Sequence, residues 1–209
     1  MRAVLRRADA PTFLLSGRTL LAILAIFLVF AAAAGGQSNG AFREVYQGIS
    51  GSSLQAFTNN SNFPNFPAAT EIVTNSFETP KNSGDYYGER LRALLVPPVS
   101  GTYVFWISAD DTGALFVSSD ESALNKSQIG FVTNALYRAW YSQPTQQSTN
   151  VFLEADRRYY VEALHSAGTG DDSLSVGWKL PGGALEQPIP DFRLRPFGMA
   201  ATTPPVTTS

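Results

Sequence analysis

The 209-residue chain has no cysteine and a single histidine, His165. The first absence excludes a disulfide-stapled scaffold, and the two together leave no soft donor set for a transition-metal site. No G-x-S-x-G segment occurs, so a Ser-His-acid hydrolase has little to build from. Lys and Arg are not clustered, and a formal net charge of −2 gives no electrostatic footprint for nucleic acid. Helical periodicity sustained over three turns is missing as well.

The two ends of the chain stand apart from the rest. Arg2, Arg6, Arg7 and Arg18 precede an apolar run from Leu20 to Phe30, and small residues fill Ala31–Gly36. That order reads as a secretory signal peptide over residues 1–34, with cleavage near Ala33 or Ala34. Its apolar stretch of about 15 residues is short against the roughly 20 that a span needs, so the mature chain is expected to carry no membrane span. Removing it takes away four arginines and Asp9 and moves the charge to about −5. The product is expected outside the cell, secreted or at the surface. Gly198–Ser209, rich in Thr and Pro, reads as a linker or tail and points to further domains of a longer protein.

Between the ends lie short runs rich in β-branched and aromatic residues: Arg90–Val96, Tyr103–Ile107, Ala114–Ser118, Asn150–Leu153, Tyr159–Leu164 and Ser173–Leu180. Gly, Pro, Asn and Asp punctuate them at the spacing of a sandwich or barrel. Asn59–Asp85 reads as a long surface loop, and only Ser119–Asn125 or Leu136–Tyr141 as a helical turn. The expectation is one all-β domain within residues 35–197.

Asp110 and Asp111 sit side by side between two of these runs. At about 5 Å and an effective dielectric near 20, two carboxylates repel by roughly 3 kcal/mol. A hard cation such as calcium removes that repulsion and takes six to eight oxygens, so a second loop must supply the rest. The Gly-rich stretch His165–Trp178, with Asp171 and Asp172, is the candidate. The plain alternative is that both Asp pairs are solvated turn residues. Asp111-Thr112-Gly113 also matches an aspartic protease turn, but that chemistry needs two such turns, so a chain with one would require a homodimer, and Asp110 would add an unwanted charge. His165, with no second soft ligand, reads as a hydrogen-bonded structural residue. Asn59-Asn60-Ser61 and Asn125-Lys126-Ser127 fit the N-glycosylation pattern.

"YYGERLRALLVPPVSGTYVFWISADDTGALFVSSDESALNK", "VFLEADRRYYVEALHSAGTGDDSLSVGWKLPGG" and "PIPDFRLRPF" resemble the PA14 domain over about Phe42 to Phe197. The resemblance implies a PA14-type antiparallel β-sandwich with long surface loops, a module found in microbial adhesins, glycosidases and bacterial toxins. In its lectin-like members a strand-end Asp-Asp pair joined by a cis peptide holds calcium, which ligates sugar hydroxyls. Carried over, this makes Asp110 and Asp111 calcium ligands, with Thr169 and Asp171 contributing from the second loop. Asp110, Asp111 and Asp172 would face the ligand. One departure is Ala167, which stands where those members have a side-chain oxygen. The expected function is therefore an exported, non-enzymatic, calcium-dependent module that binds glycans of cell surface or matrix. The alternative is a structural or protein-interaction module of a larger exported protein.

Overall fold

The computed structural model describes residues 38–198. The expected signal peptide and, apart from Gly198, the expected tail lie outside the described residues. In chain order the elements are β1 (Ala41–Gln47), α1 (Leu54–Thr58), β2 (Ala69–Val73), β3 (Tyr87–Leu95), β4 (Gly101–Asp110), β5 (Thr112–Ser118), β6 (Lys126–Thr133), β7 (Val151–Leu153), β8 (Tyr159–Ala167), β9 (Ser173–Lys179), β10 (Leu185–Glu186) and β11 (Leu194–Pro196). A seven-stranded sheet runs β2-β1-β3-β8-β5-β6, with β11 also on β3, and a four-stranded sheet runs β10-β9-β4-β7. All pairings are antiparallel.

Period-two alternation assigns the faces. Leu91, Ala93 and Leu95 of β3, Leu115 and Val117 of β5, and Val161 and Ala163 of β8 form one inner wall. Tyr103, Phe105, Ile107 and Ala109 of β4 face them, with Leu174, Val176 and Trp178 of β9. The result is a β-sandwich around one apolar core. On the outer face of the large sheet, α1 sets Phe57 against Tyr46, Ile49 and Leu164. It can lie that close because Gly88 has no side chain: a Cβ there would meet the Phe57 ring at 2.3 Å. Ser53 caps α1, its hydroxyl accepting from Ala56 N at 3.1 Å.

Five strands, β1, β2, β6, β10 and β11, and the helix α1 lie outside the runs read from the sequence. β1 carries Arg43 and Glu44, both buried, which breaks the apolar alternation that marks a strand. β2 lies inside the stretch read as a surface loop; it is a half-exposed edge strand and owes its form to β1. β6 opens on Lys126, Ser127 and Gln128 and pairs with β5 across a bulge. Of the two expected helical turns, a 3-10 turn forms at Ala123–Asn125, whereas Leu136–Tyr141 is irregular.

β1 pairs with β3 over Tyr87–Arg92 and β11 over Ala93–Leu95, so β11 and β1 share one lane along β3. Gly40 N donates to Leu194 O at 3.3 Å where they meet. Among the described residues no helix is long and apolar enough to cross a membrane.

Candidate metal and ligand site at the Asp110–Asp111 turn

β4 belongs to the small sheet and β5 to the large one, so the chain changes sheets at Asp110-Asp111. The peptide between these two residues is cis. The turn is pinned from two sides. Asn134 N donates to Asp111 O at 2.5 Å and Ala135 N to Ala109 O at 3.0 Å. Gly168 N, just past β8, donates to Asp111 Oδ2 at 2.5 Å. Gly113, the glycine of the D-T-G triplet, has a packing reason: a Cβ would stand 2.7 Å from that of Ala109.

Asp110 and Asp111 are both partly exposed. The Asp110 carboxyl is held above the usual carboxylate range, first by partial burial and then by the negative charges of Asp111 and Asp171; His165 offsets part of this. Because its folded pKa lies above the unfolded one, Asp110 favours the fold below about pH 4 and loses that contribution as pH rises through the raised value. At neutral pH, therefore, its ionised form works against folding. Asp110→Asn is expected to raise the metal-free melting temperature at pH 7 by roughly 1–3 °C, the scale of a like-charge contact of about 0.2–1 kcal/mol. Differential scanning calorimetry in chelator checks this; a lower melting temperature would show that the charge is not under stress.

Thr169 and Asp171 are exposed in the β8–β9 loop, and Gly170 N in that loop donates to Asp85 Oδ1 at 3.2 Å. Asp171 acts on the pair through its charge, which helps to raise the Asp110 pKa. Asp172 is placed differently: it is 2% exposed, its Oδ1 accepts from Tyr87 Oη at 2.8 Å and its Oδ2 from Gly84 N at 3.2 Å. Asn82 also exchanges hydrogen bonds with its main chain. Its carboxylate anchors the loop from inside. Ala167 ends β8, buried opposite Tyr87.

Two unpartnered hydroxyls flank the turn. Ser173 stands opposite Asp110 on β9 and Ser166 opposite Thr112 on β8, and the Oγ of each is buried without a hydrogen bond. The side-chain donors at the turn, two carboxylates and two hydroxyls, are oxygens, the type that a hard cation takes. Among the described residues no three His, Cys, Asp or Glu side chains converge on one metal position. An ion here would depend on two carboxylates together with main-chain oxygen and water.

The model of the PA14 domain matches residues 48–191. The chain belongs to the PA14 domain family. Mouse Fibrocystin-L is 29% identical over 118 residues, 56% of this chain but 3% of that protein, so the chain spans a small fraction of that relative's length. The PA14 sugar-binding domain of an RTX adhesin superposes with a TM-score of 0.57 at 19% identity, covering 76% of this chain and 98% of that one. The A domain of epithelial adhesin 6 from Candida glabrata, solved in complex with Galb1-3GlcNAc, gives 0.55 at 14% identity, with 77% and 88% covered. At these identities the solved structures establish the fold.

Behind its Asp pair this PA14 domain carries a buried charged network: His165 is hydrogen-bonded, as its sequence context suggests, but its charged partners are not visible in the sequence. His165 Nε2 lies 2.7 Å from Asp110 O and its Nδ1 2.8 Å from Glu89 Oε1. Glu89 also accepts from Thr79 Oγ1 at 2.9 Å and from Arg43 Nε at 2.5 Å, and Arg43 reaches on to Glu71 at 2.6 Å. Burial disfavours the Glu89 anion, but the hydrogen bond and charge of His165 and the charge of Arg43 outweigh it and pull its pKa down. Burial likewise opposes a charge on His165, and its bonds to Glu89 and the Asp110 carbonyl push the pKa up. A carbonyl and an ionised carboxylate only accept, so both ring nitrogens donate and the ring is an imidazolium. The one sequence signal was a lone histidine in an apolar strand; its partners lie 55 and 76 residues away.

Proposed function

We propose that this PA14 domain is a calcium-dependent carbohydrate-binding module of an exported protein, acting by coordination and without catalysis. The observation that carries the reading is the Asp110-Asp111 turn. Two carboxylates stand on adjacent residues at a partly exposed rim, and partial burial, then the negative charges of Asp111 and Asp171, disfavour the charge on Asp110. Calcium, when bound, neutralises this repulsion and offers open positions to vicinal hydroxyls. Asp110 and Asp111 would hold the ion, with Asp171 and main-chain oxygen at Thr169 supplied by the β8–β9 loop. Asp172, being buried, would act by holding that loop in place. Leu136 is 76% exposed and Tyr137 39%, in the segment pinned to Asp111 and Ala109; they would form the wall against which a sugar ring rests. The sugar-binding RTX adhesin domain and the glycan-bound yeast adhesin share the fold and support the reading by analogy.

Calcium titrated into the purified protein by calorimetry tests it, beside the Asp110→Asn/Asp111→Asn double variant. Binding is expected in the tens of micromolar to millimolar range of extracellular modules and is lost in the variant. Glycan-array binding is expected with calcium and absent with chelator. No heat and no thermal shift at millimolar calcium would overturn the reading.

A second reading has its own observations: Ala167 brings no side-chain oxygen, and no three metal-binding side chains converge among the described residues. On it the domain is a structural or protein-interaction module, as the small share of Fibrocystin-L that it matches would suit. It predicts stability indifferent to calcium.

A further inference from the structure

The inner wall of the large sheet changes character along its length. On β3, Leu95, Ala93 and Leu91 are apolar, and the next inward residues are Glu89 and Tyr87. On β8, Val161 and Ala163 give way to His165, which stands directly opposite Glu89. Arg43 of β1 and Thr79 complete the patch. Glu89 and His165 are both 0% exposed. Burying ions is costly, and an apolar filling of the same volume is commonly as stable or more so. Stability alone therefore gives no reason for charges here, and what they touch is a better guide.

The network reaches the turn itself at the Asp110 carbonyl. His165 Nε2 donates to the main-chain oxygen of Asp110 at 2.7 Å, whereas Gly168, Asn134 and Ala135 hold the turn through main-chain amides. We propose that Glu89 and His165 are positioning residues for the Asp110–Asp111 turn: Glu89 fixes the ring, and the ring turns the Asp110 carbonyl inward so that its carboxylate stays at the rim beside that of Asp111. This deepens the calcium reading and, for its effect on the ion, rests on it. Glu89 suits the task because its other contacts, Arg43 Nε and Thr79 Oγ1, hold it from two directions. The ring is further confined by the Tyr87 ring, packed edge-on at 5.8 Å.

The test uses the full chain and three variants. His165→Leu removes the donor, His165→Gln returns an N–H donor at similar reach, and Glu89→Gln keeps shape while removing the charge that holds the ring. Two readouts are taken well below each variant's melting temperature. The first, without calcium, is the NMR amide signals of Asp111 and Gly168. They are expected to move or broaden in His165→Leu and Glu89→Gln and to return toward wild type in His165→Gln. The second is calcium affinity, expected to weaken tenfold or more in His165→Leu and about threefold in Glu89→Gln, with partial recovery in His165→Gln. If His165→Leu does not fold, the other two variants carry both readouts.

Lower melting temperatures with unchanged Asp111 and Gly168 signals would make the network a core feature only and overturn the proposal. If wild-type protein binds no calcium yet the signals move as described, the calcium reading fails and the positioning role stands. If calcium binds with equal affinity in every variant, the positioning role fails and the calcium reading stands.

Discussion

Trp178→Ala is expected to lower the melting temperature by roughly 10 °C. Trp178 is fully buried near the C-terminal end of β9 and packs its ring on Tyr103 at 4.7 Å and on Phe105 at 5.7 Å. It thus fills the space between the sheets from the small-sheet side. Truncating such a residue costs about 3–5 kcal/mol, because its neighbours are strands fixed by their ladders and collapse only partly into the gap. In a domain of this size 1 kcal/mol moves the midpoint by about 2–4 °C. The indole N–H also donates to Glu186 Oε2 at 2.6 Å, but Glu186 keeps Arg193 at 2.9 Å, so little of the loss is electrostatic. Trp178→Phe should accordingly retain more than half of the stability. Thermal unfolding followed by circular dichroism decides it, and a fall under about 3 °C for the alanine variant would mean that the sheets close over the gap.

Arg43→Ala is expected to be about as damaging, for a different reason. Its guanidinium lies between Glu89, which is buried, and Glu71, whose side chain is 48% exposed. Removing one partner of a buried ion pair costs about 3–5 kcal/mol, since the ion left behind is no longer compensated. Here that ion is Glu89, left with His165 and Thr79. Glu71→Ala breaks a bond to the same Arg43 but exposes nothing unpaired to the core, and it should cost under about 1 kcal/mol. Urea unfolding of the two variants makes the comparison. Equal losses would show that Glu89 does not depend on Arg43 for its charge.

The legible part of the fold was the part whose residues declare their own burial. β4 reads Tyr103, Phe105, Ile107 on one face and β9 reads Leu174, Val176, Trp178, and both stand out as β-rich runs bounded by turn residues. β1 was not, because Arg43 and Glu44 are buried by virtue of partners 46 residues away on β3, which no local window contains. The same limit governs the site. The Asp110-Asp111 pair is visible as adjacent letters, but whether Asp171 or Asp172 joins it depends on register. Asp172 faces Tyr87, 85 residues distant, and is held inside. Glu89 sits in a run rich in charged residues, and nothing in that run marks it as the one whose partner is the sole histidine.

The shared lane of β11 and β1 bears on how the domain can be joined to other polypeptide. Chain arrives at Gly40 and departs past Phe197 from neighbouring points, bridged by the Gly40–Leu194 hydrogen bond. A host protein would therefore need to offer two attachment points on the same side of the large sheet, where β1 begins and β11 ends. Such a unit can be spliced into a surface hairpin of another fold without prising it open. The Asp110–Asp111 turn, beyond the Tyr87 end of β3, would then stand at the far tip of the insertion, about 20 Å along the strand from the Ala93 end where the chain comes and goes.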